Sequence, residues 1–423
     1  MALTSPASVG HEPASGAAGL ARRRVLKIAP TSFFADYGCH VRIFEETRAL
    51  TRLGQQVAIC TYHTGRDLPG LDIRRAMNTP WQRTVRVGSN LHKLYYDALL
   101  TLKSAQTARQ FRPDIIHAHL HEGALIGYPL SRALGVPLVF DFQGSLTSEM
   151  IDHGFLARGS PLYGPLRRLE RVIDYMADRI ITSSQNATDM LVQEFGYPAR
   201  RIVTLTDSVD TEFFVPADRF QPGLLRRKRR ALAIPEGRSV VVYLGLLAGY
   251  QGTGLLLEAA AQLVAEGRPV HFLVMGFPGE DDYRRQAEQM GLAGHTTFTG
   301  RVLYEEAPLH LALGDIAVSP KLSETEGNGK LLNYMAAGLP TVALNTPVAN
   351  ELLGHAGEYA ASASAAGVAA ALARLLDDGP LRAASAAQLR QRAVEQFSWD
   401  TAGQRLLSVY EEIAAERSSR RPR

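Results

Sequence analysis

A chain of 423 residues, 46% hydrophobic and 21% charged, is too long for one ordinary α/β domain and able to bury two sizeable cores. Its net charge of +4 comes without an aromatic-plus-basic platform or a helix-turn-helix pattern, which argues against nucleic acid as a partner. Two cysteines, Cys39 and Cys60, are too few for a disulfide framework and fit a reducing, cytoplasmic compartment, and no run approaches the ~18 apolar residues of a membrane span.

Residues 1–24 are rich in Ser, Pro, Gly and Ala and are expected to form a disordered tail. Arg22–Arg24 superficially resemble a twin-arginine export signal, but Pro30, Asp36 and Tyr37 deny it the apolar stretch that must follow. Short β-branched runs then alternate with helical stretches. The expected strands are Val25–Ala29, Val57–Cys60, Asp114–Ala118, Leu138–Phe142, Arg179–Ser183 and Ile202–Leu205, and a second series runs Ser239–Gly245, His271–Gly276, Thr297–Thr299, Asp315–Ser319 and Thr341–Ala343. Nearly all are continuously apolar, as parallel strands buried on both faces require. The pattern lapses near Asp210–Pro235, which divides the chain into residues 25–212 and 213–400. The stretch 401–423 is expected to be a helix packing back on the first domain, then a basic tail. The fold expected is α/β, two doubly wound parallel-sheet domains facing across a cleft. Basic runs at Arg22–Arg24, Arg226–Arg230 and the C-terminus read as solvated surface, with weak attraction to anionic lipid as the sharper alternative.

The most informative stretch runs from Ser319 to Pro340. A strand ends, a polar loop holding Glu324, Glu326, Gly327, Asn328 and Gly329 follows, and a helix begins near Lys330. Free N–H groups at a helix start and the positive end of its dipole make a phosphate site, and the two glycines allow close approach. A P-loop is excluded, because it would need glycine at 324 and a hydroxyl residue at 331.

This stretch, Glu326-Gly-x-Gly329 before Met335-Ala-Ala-Gly-Leu-Pro340, resembles the family 4 glycosyltransferases, retaining enzymes of the GT-B fold. Supporting blocks are Pro113-Asp114-Ile-Ile-His117-Ala-His119, Ala177–Ser183, Val209–Phe213, Phe298–Val302 and Phe397-Ser-Trp399, in the family's order and spacing. The resemblance implies a nucleoside-diphosphate sugar as donor substrate, with no separate cofactor and no metal. It implies donor contacts from Gly38, Gly245, Gln251, Gly252, Arg301, Gly327, Asn328, Gly329, Leu331 and Asn333, and catalytic roles for Glu324, Glu326 and Lys330.

The chain departs from the family at several positions. Of the two glutamates that the family sets eight positions apart, the ribose-facing one falls on Asn333 and the sugar-facing one on Thr325, between Glu324 and Glu326. The diphosphate arginine and lysine fall on Leu246 and Gln251, so both charges are missing and Lys330 is the first substitute, with Lys321 and Arg301 behind it. Acceptor-side residues are expected to be His40, His119, Glu122 and Gln143, the last standing where the family often has histidine. His117, His119 and His121 alternate at a strand end and would share one side only if the strand continued, which leaves a zinc site geometrically open but without further ligands.

The reading is hexosyl transfer to the hydroxyl of a sugar, lipid-linked or small-molecule acceptor. The alternative is a non-catalytic GT-B protein that binds nucleotide or sugar.

Overall fold

The computed structural model describes residues 22–36, 38–78, 91–152, 154–323 and 327–420. The expected tail before Arg22 lies outside the described residues.

The first sheet holds β1 (Arg24–Ala29), β2 (Gln56–Thr61), β3 (Asp72–Arg75), β4 (Ile115–His119), β5 (Leu138–Phe142), β6 (Arg179–Thr182) and β7 (Ile202–Thr204). All pair in parallel, in the order β3-β2-β1-β4-β5-β6-β7. The crossovers are α1 (Gly38–Arg52), α2 (Leu91–Phe111), α3 (Leu120–Leu134), α4 (Leu146–Asp152), α5 (Tyr163–Asp174) and α6 (Gln185–Gln193). The second sheet holds β8 (Ser239–Leu244), β9 (Val270–Met275), β10 (Thr296–Gly300), β11 (Ile316–Ser319), β12 (Thr341–Leu344) and β13 (Glu358–Ala360), in the parallel order β10-β9-β8-β11-β12-β13. Around it lie α7 (Pro222–Ala231), α8 (Thr253–Ala265), α9 (Glu280–Gln289), α10 (Ala307–Leu311), α11 (Gly329–Ala336), α12 (Pro347–Leu353), α13 (Ala365–Asp377) and α14 (Gly379–Gln396). The last helix, α15 (Trp399–Arg420), packs Trp399, Leu406 and Tyr410 against Val25, Ile115 and Val139 of the first sheet. This is a two-domain Rossmann-like GT-B architecture.

The apolar runs became strands because βαβ crossovers cover both faces: every residue of β4, β5 and β9 is buried. Two strands escaped the sequence reading, β3 and β13. Asp72-Ile-Arg-Arg and Glu358-Tyr-Ala are short edge strands whose polar residues carry no buried-strand signal. In each sheet the strand order reverses beside the first strand, between β1 and β4 and between β8 and β11. A crevice opens there at the carboxyl ends of the strands, and ligands of such sheets bind in it.

The domains are joined by more than their two chain crossings. The crossings lie side by side, with the Val209 N–H donating to the Phe397 carbonyl at 2.8 Å. One buried cluster runs through both domains, from Phe33, Phe34 and Ile43 to Val302, Tyr304 and Leu311. Its centre is Tyr304, whose ring meets Phe34, Phe44, Phe213 and Phe214 at centroid distances of 6.0, 5.8, 5.4 and 5.6 Å. The Tyr304 hydroxyl donates to the buried Glu45 carboxylate at 3.0 Å. Tyr304→Phe keeps the ring and removes that donor, so it is expected to lower stability by about 1–2 kcal/mol. Thermal melts of the two proteins, run side by side, check this.

Candidate active site

The facing crevices enclose a cavity of about 530 Å³. The second domain contributes the loop after β8, with Gly245, Leu246 and Gln251, and the start of α11, with Gly327, Asn328, Gly329, Lys330 and Asn333. The first contributes Gly38 at the start of α1, Glu122 on α3, Gln143 after β5 and Asp207 after β7.

Lys330, in the first turn of α11, lines the cavity. Its Nζ donates to Gln251 Oε1 at 2.6 Å and lies 4.6 Å from the centroid of the Tyr243 ring. A Cβ at Gly245 would stand 2.8 Å from that Nζ, so the glycine makes room for the ammonium. The lysine thus reaches from α11 to Gly245 and Gln251 in the loop after β8. Below it, Asn328 bonds the Ser319 hydroxyl at 3.2 Å, and Lys321 Nζ donates to the Gly327 carbonyl at 2.7 Å. These contacts hold the glycine loop over the end of β11. Glu324 and Glu326 lie outside the described residues.

Four expected site residues stand elsewhere. Leu331 is fully buried in the second domain's core and its N–H donates to the Asn328 carbonyl, because the third residue of this short amphipathic helix faces inward. Gly252, at φ +75°, is pressed against the Pro320 backbone, where a Cβ would come within 2.0 Å of the carbonyl oxygen; it shapes the turn and does not line the cavity. His40 is buried, bonded to the Thr31 hydroxyl and accepting from the Ala35 N–H at 2.8 Å, and burial lowers its pKa to about 3. It braces the β1–α1 loop as a neutral ring. His119 is also buried, stacked on His117 at 4.6 Å, with Nδ1 2.8 Å from Asp141 Oδ2.

The strand ends at His119, so His121 enters α3 and turns to Glu170 and Asp174. The three-histidine side therefore does not form. His117 and His119 instead join a buried ion network, in which Lys27 Nζ meets Glu46 at 2.8 Å and the Arg42 guanidinium meets Glu46, Asp141 and Asp207 at 3.2, 2.9 and 2.8 Å. Ligand atoms of Glu46, His117, His119 and Asp141 lie within 4.8 Å of one another, as metal ligands would. The two carboxylates are already matched by Lys27 and Arg42, so a dication would add uncompensated positive charge to the core. The network does reach the cavity, because Gln143 Nε2 donates to Asp141 Oδ2 at 2.8 Å. Glu122, also on that wall, is ion-paired with Lys93. Burial alone would raise its pKa, but the Lys93 ammonium holds it below the ordinary carboxylate range.

Two acids were missed in the sequence. Asp207 accepts from Arg42 and abuts the glycine loop of the other domain, where a Cβ at Gly327 would lie 2.8 Å from its Oδ2. Its only sequence signal is a polar run, Thr206-Asp-Ser, directly after a strand. Asp36, at φ +59°, accepts from Arg66, from Arg301 Nε at 3.1 Å and from the Tyr304 N–H at 3.0 Å. Burial would raise its pKa, but these donors hold it below the ordinary range. Arg301 lines the cavity but is spoken for, paired with Asp36 and stacked 5.3 Å from the Phe277 ring.

The family described as Glycosyltransferase Family 4 matches residues 38–213, and that described as Glycosyl transferases group 1 matches residues 238–378. The chain is 27% identical over 436 residues to a D-inositol 3-phosphate glycosyltransferase of Salinispora tropica, covering 97% of this chain and 84% of that one. It is 29% identical over 325 residues to an alpha-D-kanosaminyltransferase of Streptomyces kanamyceticus, covering 74% and 81%. Among solved structures, a sucrose-phosphate synthase of Thermosynechococcus elongatus superposes with a TM-score of 0.78 at 16% identity, over 93% of this chain and all of the other. Anabaena HepE in complex with UDP and glucose superposes with a TM-score of 0.74 at 18% identity, over 92% and 100%.

Proposed function

We propose that this chain, which belongs to the family 4 glycosyltransferases, moves a hexosyl unit from a nucleoside-diphosphate sugar to an acceptor hydroxyl in the cytoplasm, with retention of configuration. The observation that carries the donor assignment is the meeting of Lys330, Gln251 and Gly245 above the start of α11. An ammonium and a helix start both line the cavity there, which suits a diphosphate that gains charge as it leaves. Asn333, with both a donor and an acceptor, suits ribose hydroxyls, and Glu324 or Glu326 would orient the sugar. Gln143 can hold an acceptor or sugar hydroxyl but cannot take its proton. In the proposed step the bond from the sugar's anomeric carbon to the diphosphate oxygen breaks, and the acceptor oxygen bonds the same face. The acceptor proton passes to the leaving phosphate, so the step needs no protein base.

We propose further that no divalent metal takes part. Purified protein incubated with nucleoside-diphosphate sugars should release nucleoside diphosphate slowly without acceptor, at the same rate in EDTA as in magnesium. Turnover lost in EDTA and restored by magnesium or manganese would defeat the metal-free reading. No release with any donor would return the chain to a binding role.

A further inference from the structure

On one side of the N-terminal domain the helices carry their charges in reverse. The acids of α5, Glu170 and Asp174, are buried: Glu170 accepts from the Thr147 N–H and hydroxyl, and both carboxylates face His121. The exposed side of α5 carries Leu169 and Val172 between Arg168 and Arg171. The turn before it exposes Phe155, Arg158 and Leu162. Neighbouring α3, packed between α2 and α5, repeats the pattern, with Leu125 and Arg132 outward and Glu122 paired with Lys93. On α2, Leu94 and Leu102 are 69% and 67% exposed, while Asp97 accepts from the Tyr62 hydroxyl at 2.5 Å.

Every carboxylate of these three helices is thus engaged by a partner within the domain, and their fully exposed charged side chains among the described residues are arginines. Among the described residues, most exposed large apolar side chains fall between Met77 and Tyr175, whereas those of the second domain are scattered singly. Apolar side chains interleaved with arginine match the interface of an anionic bilayer; the exposed acids at the border of this face, Asp152 and Glu194, accept from Ser323 and pair with Arg167, respectively. At a bilayer the apolar groups leave water and each cation gains from the surface potential.

We propose that the α2–α3–α5 face docks on an anionic lipid surface. It is a peripheral contact, since no helix of the described residues is long and apolar enough to cross a membrane. The face borders the cleft: α4 brings Leu146 and Glu149 to the cavity wall and joins α5 through the turn holding Phe155 and Arg158. The basic run 226–230, on α7, is a poorer candidate, because Arg229 is turned into the second domain, bonding the Pro235 and Arg238 carbonyls.

The test is co-sedimentation of the full chain with vesicles of phosphatidylcholine containing about one-third phosphatidylglycerol, against phosphatidylcholine alone. The wild type should sediment with the anionic vesicles only, and less in high salt. Leu169→Glu with Val172→Glu, and separately Arg168→Glu with Arg171→Glu, should each lower partitioning about tenfold or more, with melting temperature and nucleotide release unchanged. A wild type that stays in the supernatant, or variants that sediment like it, would overturn the proposal. So would a dimer that Leu169→Glu with Val172→Glu dissolves while vesicles bind nothing; the face would then join two copies of this chain. The readout needs no sugar transfer, so it stands or falls apart from the transferase reading.

Discussion

Lys330→Ala is expected to weaken nucleoside-diphosphate binding and donor turnover about ten- to a hundredfold, the value of one charge-assisted bond to phosphate (about 1.5–3 kcal/mol). The fold should survive, because the side chain stands over the cavity on the Tyr243 ring and the first turn of α11 does not depend on it. Gln251 supplies the control. Its Oε1 is 2.6 Å from Lys330 Nζ, so a lysine at 251 would bring its own ammonium near the same spot. Gln251→Lys on the Lys330→Ala background should therefore recover part of the loss. On the wild-type background it would crowd two ammonium groups together and gain less than one new charge would suggest. Calorimetric titration with nucleoside diphosphate and donor-hydrolysis rates across the four combinations read this directly. If Lys330 were a solvated first-turn residue, its removal would change neither quantity and would leave stability level or slightly improved, since a cation at a helix start is mildly unfavourable.

Arg42→Met should have the larger effect on stability. The Arg42 guanidinium is the hub of the buried network, holding Asp141, Glu46 and Asp207 as well as the Leu205 carbonyl at 3.1 Å. Removing one member leaves the remaining buried charges unmatched, a loss of about 3–5 kcal/mol. In a domain of this size that lowers the melting temperature by about 6–20 °C. The effect should depend on pH in a definite sense. Burial alone would raise the Asp141 pKa, but Arg42 and the neighbouring histidines hold it well below the usual range. That contribution is present above the unfolded carboxyl pKa, about 3.9, and is lost as pH falls toward the folded value. The gap between wild type and variant should therefore be widest near neutrality and narrow in acid. Melts from about pH 3 to 7 measure it. A gap that stayed constant would mean that Arg42 acts through packing alone.

The sheets could be read from the chain because both domains bury their strands on two faces, so a run such as Val240-Val-Val-Tyr needs no partner information. The edge strands Asp72–Arg75 and Glu358–Ala360 bury little and carry no such mark. The glycine loop before α11 was legible for a similar reason: glycines, a lysine and a helix start lie within a few residues. The buried network was not. His119 looked like a cleft residue because its partners, Glu46 and Asp141, are distant in the chain and meet it only when β1, α1, β4 and β5 assemble. Alternation of His117, His119 and His121 gives no shared side for a local reason, since the backbone changes from strand to helix at His119–Leu120. Asp36 and Asp207 are single acids in loops, and nothing in the sequence separates them from other such residues.

The Tyr304 cluster bears on how proteins of this architecture can be recombined. Two Rossmann-like halves invite cutting near Asp210 and grafting one protein's donor half onto another's acceptor half. Here the rings around Tyr304 come from both sides of that cut: Phe34 and Phe44 from one half, Phe213, Phe214 and Tyr304 itself from the other. Glu45 and Asp36 each take one hydrogen-bond donor from the opposite half, beside Arg48 and Arg66 from their own. A chimera that imports the second half alone would place foreign side chains against Phe34 and leave each of two buried acids one donor short. The exchangeable unit in this chain is therefore a domain together with its share of the seam, and the β1–α1 loop travels with Tyr304 rather than with the sheet that precedes it.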